Sequence, residues 1–202
     1  SAIAAGRGLV ICSCHGGSTT AGSSVDIAPV ADAGRDVMSD QATLAEVLTV
    51  EHHAIDAGIE KFVAASPGGP IGEWSAPLVQ AMAALRRHIY LEEELVFPSL
   101  RNGPLMMPIM VMLNEHGEMW RRMAALDEQL AADGVDQEPL RSEVAAACTE
   151  MLGLLADHNS KEEPVIYPHL DSDMDDDSRA FLRDFLDDGT TPDGWECARA
   201  AA

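Results

Sequence analysis

Apolar positions recur every three to four residues along most of this chain, the period of helices that bury one face. Leu44, Leu48, His52, Ile55, Ile59 and Phe62 share one such face, and Ser66-Pro67-Gly68-Gly69-Pro70 ends the run. Ser75 is placed to cap a second helix with Pro77 in its first turn, reaching about Ser99 with the stripe Leu78, Met82, Leu85, His88, Glu92 and Leu95. After the turn Arg101-Asn102-Gly103-Pro104, a third helix carries Ile109, Leu113, His116, Trp120, Met123 and Leu130 and stops near Asp133-Gly134. Pro139 opens a fourth, with Leu140, Val144, Met151, Leu155, His158 and Glu162, broken at Pro164. Four long helices on short loops predict an all-α, up-down-up-down four-helix bundle over residues 41–170. A shorter helix, Ser178 to Leu186, is expected to cap one end from within an acidic C-terminal segment, residues 171–202. Residues 1–40 read as a flexible leader or extension: no period persists there, and Met38-Ser39-Asp40-Gln41 looks like a natural start.

Composition agrees with helices. The chain has 202 residues, 47% of them hydrophobic but only 4% aromatic, with little of the Val, Ile, Tyr and Phe that a β-sandwich needs. Thirteen Lys and Arg against 34 Asp and Glu give a net charge of −21, which repels phosphate backbones and anionic lipid. Nucleic acid and membrane surfaces are therefore excluded as partners, and the expectation is a cytoplasmic monomer or weak dimer. Four scattered cysteines do not make a disulfide scaffold. Cys12-Ser13-Cys14-His15 resembles half of a Rieske cluster box, but the matching Cys-x-His half is missing.

The informative positions are those where the core stripes carry the wrong residues. Every long helix places a histidine on its apolar face, and the second and fourth add a glutamate one turn later. Buried His and Glu are costly unless they are paired or bind metal. They also repeat. His88-Ile-Tyr-Leu-Glu92-Glu93-Glu-Leu-Val-Phe97-Pro98-Ser-Leu100 aligns without a gap on His158-Asn-Ser-Lys-Glu162-Glu163-Pro-Val-Ile-Tyr167-Pro168-His-Leu170, and Glu51-His52 aligns on Glu115-His116. Two related helical hairpins each offer one His from the first helix and a His-x-x-x-Glu from the second, with i and i+4 on one face. Two metal ions bridged by Glu92 and Glu162 follow from that symmetry. His52 continues the stripe and His53 points away from it. Asp56 is a candidate acceptor for an imidazole N–H or a solvated helix charge, and Glu93 and Glu163 read as surface or helix-edge charges.

His52, His88-x-x-x-Glu92, His116 and His158-x-x-x-Glu162 resemble the H…HxxxE…H…HxxxE signature of the hemerythrin-like (HHE cation-binding) family. The resemblance spans about residues 44 to 170. It implies a four-helix bundle around a non-haem di-iron centre, two Fe ions bridged by oxygen and carboxylates. Oxygen-carrying members place two His one turn apart on the third helix. Here Met112 and Trp120 stand one turn either side of His116, so one iron is short of a nitrogen, to be filled by water, a carboxylate or a phenolate. Tyr90 and Tyr167 are the only tyrosines, and a Tyr ligand stays open.

The expected function is a di-iron protein that binds and reduces small oxidants (H2O2, NO or O2), either peroxidase- or catalase-like or nitric-oxide-consuming, with an unknown electron donor. The alternative is a non-catalytic O2 or NO sensor, carrier or iron store. A third reading, iron supply for repair of damaged iron centres, usually goes with an extra cysteine-containing N-terminal domain, which the leader matches poorly. Two further patterns have plain explanations. Six of the ten methionines fall in the third-helix region and read as gap-filling core, some lining an apolar gas pocket. Asp171-x-Asp173-x-Asp175 imitates an EF-hand start but lacks its glycine and its final glutamate.

Overall fold

In the computed structural model the described residues are 42–65, 75–101, 103–132 and 140–201. Cys12, Cys14 and His15, and the reading of residues 1–40 as a leader, fall outside them. Helix α1 (Leu44–Ala64) starts from a capping box: Thr43 accepts from the Glu46 amide, and the Glu46 carboxylate accepts from the Thr43 amide. Helix α2 (Ala76–Leu91) runs into a π-helical turn, Glu92–Val96, and a short α3 (Phe97–Leu100). A 3-10 turn, Gly103–Leu105, leads into α4 (Met106–Ala131), followed by α5 (Leu140–Val165), a second 3-10 turn (Tyr167–His169), α6 (Leu170–Asp173) and α7 (Asp176–Asp188).

The four long helices pack antiparallel around a ring, as expected for the bundle. Contacts between residues fix the directions: His52 with His88 and Gly58 beside Ala81 between α1 and α2, Arg86 with Asp127 and Glu92 with His116 between α2 with its π turn and α4, Glu115 with Lys161 and Arg122 with Glu150 between α4 and α5, and His52 with Glu163 and Asp56 with Asn159 between α5 and α1. No helix among the described residues is long and apolar enough to cross a membrane.

Two departures from the helical reading matter. The second helix does not run regularly to Ser99. Pro98 has no N–H, and its ring would press on the carbonyl four residues back in an α-helix. The chain widens there instead, with the Phe97 N–H reaching Glu92 O. Conversely, Pro164 does not break α5 on the spot. The helix continues through it to Val165, and the Ile166 N–H still finds Glu162 O at 2.8 Å.

The core has two apolar layers. One contains Ile55, Ile59, Phe62, Leu85, Met119, Met123 and Leu155; the other contains Leu48, Leu91, Phe97, Leu113, Ile166 and Tyr167. The chain crosses from one layer to the other at the histidine of each long helix: Leu48–His52–Ile55, Leu85–His88–Leu91, Leu113–His116–Met119 and Leu155–His158–Ile166, the last residue lying just past α5. The polar residues therefore occupy the waist of the bundle.

Close packing between α1 and α2 rests on Gly58, where an added Cβ would lie 2.8 Å from the Ala81 Cβ and 3.2 Å from Pro77 O. Gly153, exposed on α5, would meet nothing within 4 Å. The same substitution should therefore act with opposite signs. Gly58→Ala is expected to destabilise by about 1–3 kcal/mol through overpacking. Gly153→Ala should stabilise by about 0.5–1 kcal/mol through helix propensity. Paired urea melts check both; stabilisation by Gly58→Ala would mean that the α1–α2 contact is looser than described.

Candidate metal centre

All six of the sequence-derived ligand candidates are at most 3% exposed, and they meet in one place. Two sets have one N or O atom from each member within 4.8 Å of the others: His52, His88, Glu92 and Glu162, and Glu92, His116, His158 and Glu162. Both glutamates belong to both sets. Glu92 divides its oxygens between them, Oε1 lying 3.1 Å from His88 Nε2 and Oε2 lying 3.2 Å from His116 Nε2. Glu162 Oε2 lies 3.2 Å from His158 Nε2 and 3.6 Å from His52 Nε2. His53, by contrast, is exposed.

The other nitrogen of every imidazole is held by a carboxylate. His88 Nδ1–H donates to Glu51 (2.9 Å), His158 Nδ1–H to Glu115 (3.0 Å), His52 Nδ1–H to Glu163 (3.0 Å) and His116 Nδ1–H to Glu93 (3.1 Å). A carboxylate only accepts, so these partners place a proton on each Nδ1 and aim each Nε2 inward. The pattern has the two-fold symmetry of the repeat: the glutamate before each first-helix His serves the second His of its own hairpin, and the glutamate after each HxxxE serves the first His of the other hairpin.

Glu93 and Glu163 are thus not the surface or helix-edge charges that helical phase suggests. Glu93, in the π turn beside Glu92, is 5% exposed and pairs with Cys197 and Ala198, while Glu163, on regular α-helix, is partly exposed yet still reaches His52. Asp56 does not take an imidazole proton. It faces the amide of Asn159 at 3.4 Å, because Glu163 has already claimed His52. Trp120 points away from the centre, onto Trp195 and Arg86. The three aspartates of the EF-hand imitation do separate work: Asp171 accepts from the Leu44 amide, Asp173 from Ser172, and Asp175 caps α7.

Tyr167 enters the centre and Tyr90 does not. The Tyr167 hydroxyl donates to Glu92 Oε1 at 2.8 Å and lies 2.9 Å from His52 Nε2 and 3.3 Å from His88 Nε2. It therefore sits with the His52/His88 set rather than beside His116. Tyr90 packs on Phe185 and Trp195. Helical phase gave no orientation for Tyr167, since the chain leaves α-helix geometry after Val165.

The electrostatics suit a cation. Burial, then the neighbouring His88, pushes His52 down to about 2, which leaves its Nε2 a lone pair. Burial opposes charge on His158, yet Glu115 and Glu162 raise it to about 9. Burial would raise Glu92, but His88 and His116 outweigh it and hold the carboxyl well below the ordinary range. Burial and the charge of Glu92 raise Glu162. Two buried carboxylates side by side thus need compensating positive charge. Glu92 Oε2, His116 Nε2 and both Glu162 oxygens are buried without a hydrogen-bond partner. His116 Nε2 and Glu92 Oε2 face one another at 3.2 Å, each without a hydrogen-bond partner, and a cation between them would satisfy both. Imidazole nitrogen with carboxylate oxygen is a donor set for iron, manganese or zinc.

Comparison with known proteins agrees with this arrangement. A family model described as the hemerythrin HHE cation binding domain matches residues 43–170. Neither the curated proteins nor the solved structures give a match.

Proposed function

The chain belongs to the hemerythrin HHE cation-binding family, and we propose that its His/Glu cluster holds two iron ions, one on His52 and His88 and one on His116 and His158, with Glu92 and Glu162 shared. The observation that carries this reading is the presence of both glutamates in both four-residue sets. When bound, such an iron pair supplies electrons to small oxidants such as H2O2, NO or O2. The protein does the rest. Two apolar layers exclude water on either side of the waist, and four carboxylates fix the imidazoles. Tyr167 keeps a proton at Oη, since burial, then the charges of Glu162 and Glu92, raises its phenol well above the ordinary value. Reduction of peroxide or O2 consumes protons, and Tyr167 Oη holds one among the ligand candidates. A mostly apolar groove of about 210 Å³ between α4 and α5, lined by Pro108, Val111, Met112, Val165 and Ile166 with Lys161 among them, is the approach this reading gives to uncharged small molecules.

Metal analysis with an optical spectrum tests the first half of the proposal; about two irons per chain with charge-transfer bands is the expected result. Stopped-flow mixing of the iron-loaded protein with H2O2 or NO tests the second. Multiple turnovers support the oxidant-reducing reading, whereas a single stable adduct overturns it in favour of a sensor, carrier or store.

The carboxylate behind His52 gives a more local test. Glu163→Ala removes the acceptor of the His52 Nδ1–H while leaving every proposed ligand in place. Affinity for Fe(II) or Co(II) should fall about 10- to 100-fold, read by chelator competition. Unchanged affinity would mean that packing alone orients His52.

A further inference from the structure

The segment after α7, residues 189–201, lies beyond the region matched by the family, yet it reaches the metal centre. Glu93, the acceptor for His116, is gripped by it. The Ala198 N–H donates to Glu93 Oε2 at 2.7 Å, and the Cys197 S–H donates to Glu93 Oε1 at 3.2 Å, the same oxygen that receives His116 Nδ1–H. Cys197 is a buried free thiol, and burial pushes it up to about 12, so it keeps the proton it donates.

Independent features hold the segment there. Trp195 packs edge-on against Tyr90 and Trp120 and donates from Nε1 to Glu94 at 3.0 Å. Gly117, the residue after His116, is buried inside a 26-residue helix, where glycine costs about 1 kcal/mol against alanine. A Cβ on Gly117 would lie 2.5 Å from Arg199 O and 2.6 Å from the Arg199 Cβ. The backbone of the segment therefore occupies the space that a side chain at 117 would need.

We infer that the C-terminal segment is a positioning element of the metal centre, orienting His116 through the Ala198 N–H and Cys197 S–H bonds to Glu93. The inference rests on the reading of His116 as a metal ligand. By symmetry Glu163 does the same task for His52, but it sits at the end of α5 with part of its carboxylate in solvent. The buried Glu93 has three donors to satisfy its oxygens, two of them from this segment. An unsupported buried carboxylate would turn toward water or a different donor, and His116 would lose its fixed direction.

Co(II) titration of the full-length apoprotein under argon, with chelator competition and d–d bands as readouts, tests this. Ala198 is the second residue of the turn closed by the Ala200 N–H to Cys197 O (3.0 Å), a position that favours proline. Ala198→Pro therefore deletes the donor with little change of path, and Cys197→Ala deletes the other. Each is expected to weaken one of two Co(II) constants about tenfold and to shift the bands of that ion. Ala198→Gly and Cys197→Ser keep their donors and should stay near the unmodified protein. His116→Ala should abolish that ion's binding. Failure of His116→Ala to do so removes the ligand reading and this inference with it. If His116→Ala loses the ion while Cys197→Ala and a folded Ala198→Pro keep both constants and bands, the inference alone is wrong. Should Ala198→Pro lose helicity, unchanged constants and bands in Cys197→Ala are enough to overturn it.

Discussion

Glu92→Ala is expected to take the purified protein from the two bound metal ions per chain proposed above to well below one. The reason is the placement of its two oxygens. Oε1 faces His88 and Oε2 faces His116, one imidazole from each set, so a single carboxylate neutralises charge and supplies a donor on both sides. Its removal leaves two sets of two imidazoles joined only by Glu162, with half of the central negative charge gone. His53→Ala, an exposed change next to His52, should keep both ions and controls for expression and handling. Metal content after growth in iron-supplemented medium decides the matter. One tightly held ion in Glu92→Ala would show that the two sets fill independently, and that Glu92 serves only one of them.

The second large effect is on stability. Phe97→Ala should destabilise the protein by about 3–5 kcal/mol, the range for removing a fully buried aromatic ring. Phe97 has no exposed surface and follows the π turn directly, packed among Leu91, Val96, Leu100, Ile109 and Leu113. Its ring also lies nearly parallel to that of His116, 5.6 Å between centroids and 14° between planes. The cavity would open against a proposed ligand, so iron affinity should fall together with the urea midpoint. Phe97→Leu, which refills most of the volume, should recover most of both. A loss below about 1 kcal/mol in Phe97→Ala would mean that the surrounding leucines collapse into the space and that the stack supports nothing.

Helical phase determined a great deal here. A period of 3.6 residues, read through Leu48, His52 and Ile55 or through Leu85, His88 and Glu92, is a local property of the backbone and needs no knowledge of neighbours. The internal repeat then implies a two-fold bundle, and the structure brings all six His and Glu candidates to its waist. The same reasoning puts Glu93 on the outside, because one helix's phase says nothing of what other segments cover. Glu93 lies in the π turn and pairs with Cys197 and Ala198, so the buried acceptor for His116 appears where periodicity predicts a surface charge.

Glu163 escapes for a different reason. It keeps its helical phase but reaches across to His52 on another helix, a pairing set by how α1 and α5 pack. Tyr167 and the C-terminal segment lie outside regular helix altogether, so no period orients them. Their placement depends on contacts between residues far apart in sequence, Tyr167 with His52 and Ala198 with Glu93. The sequence by itself determined which residues face the core, since that is a matter of backbone geometry. Only the tertiary structure decided which carboxylates hold which imidazoles, because those hydrogen bonds form between elements whose relative positions are fixed by packing.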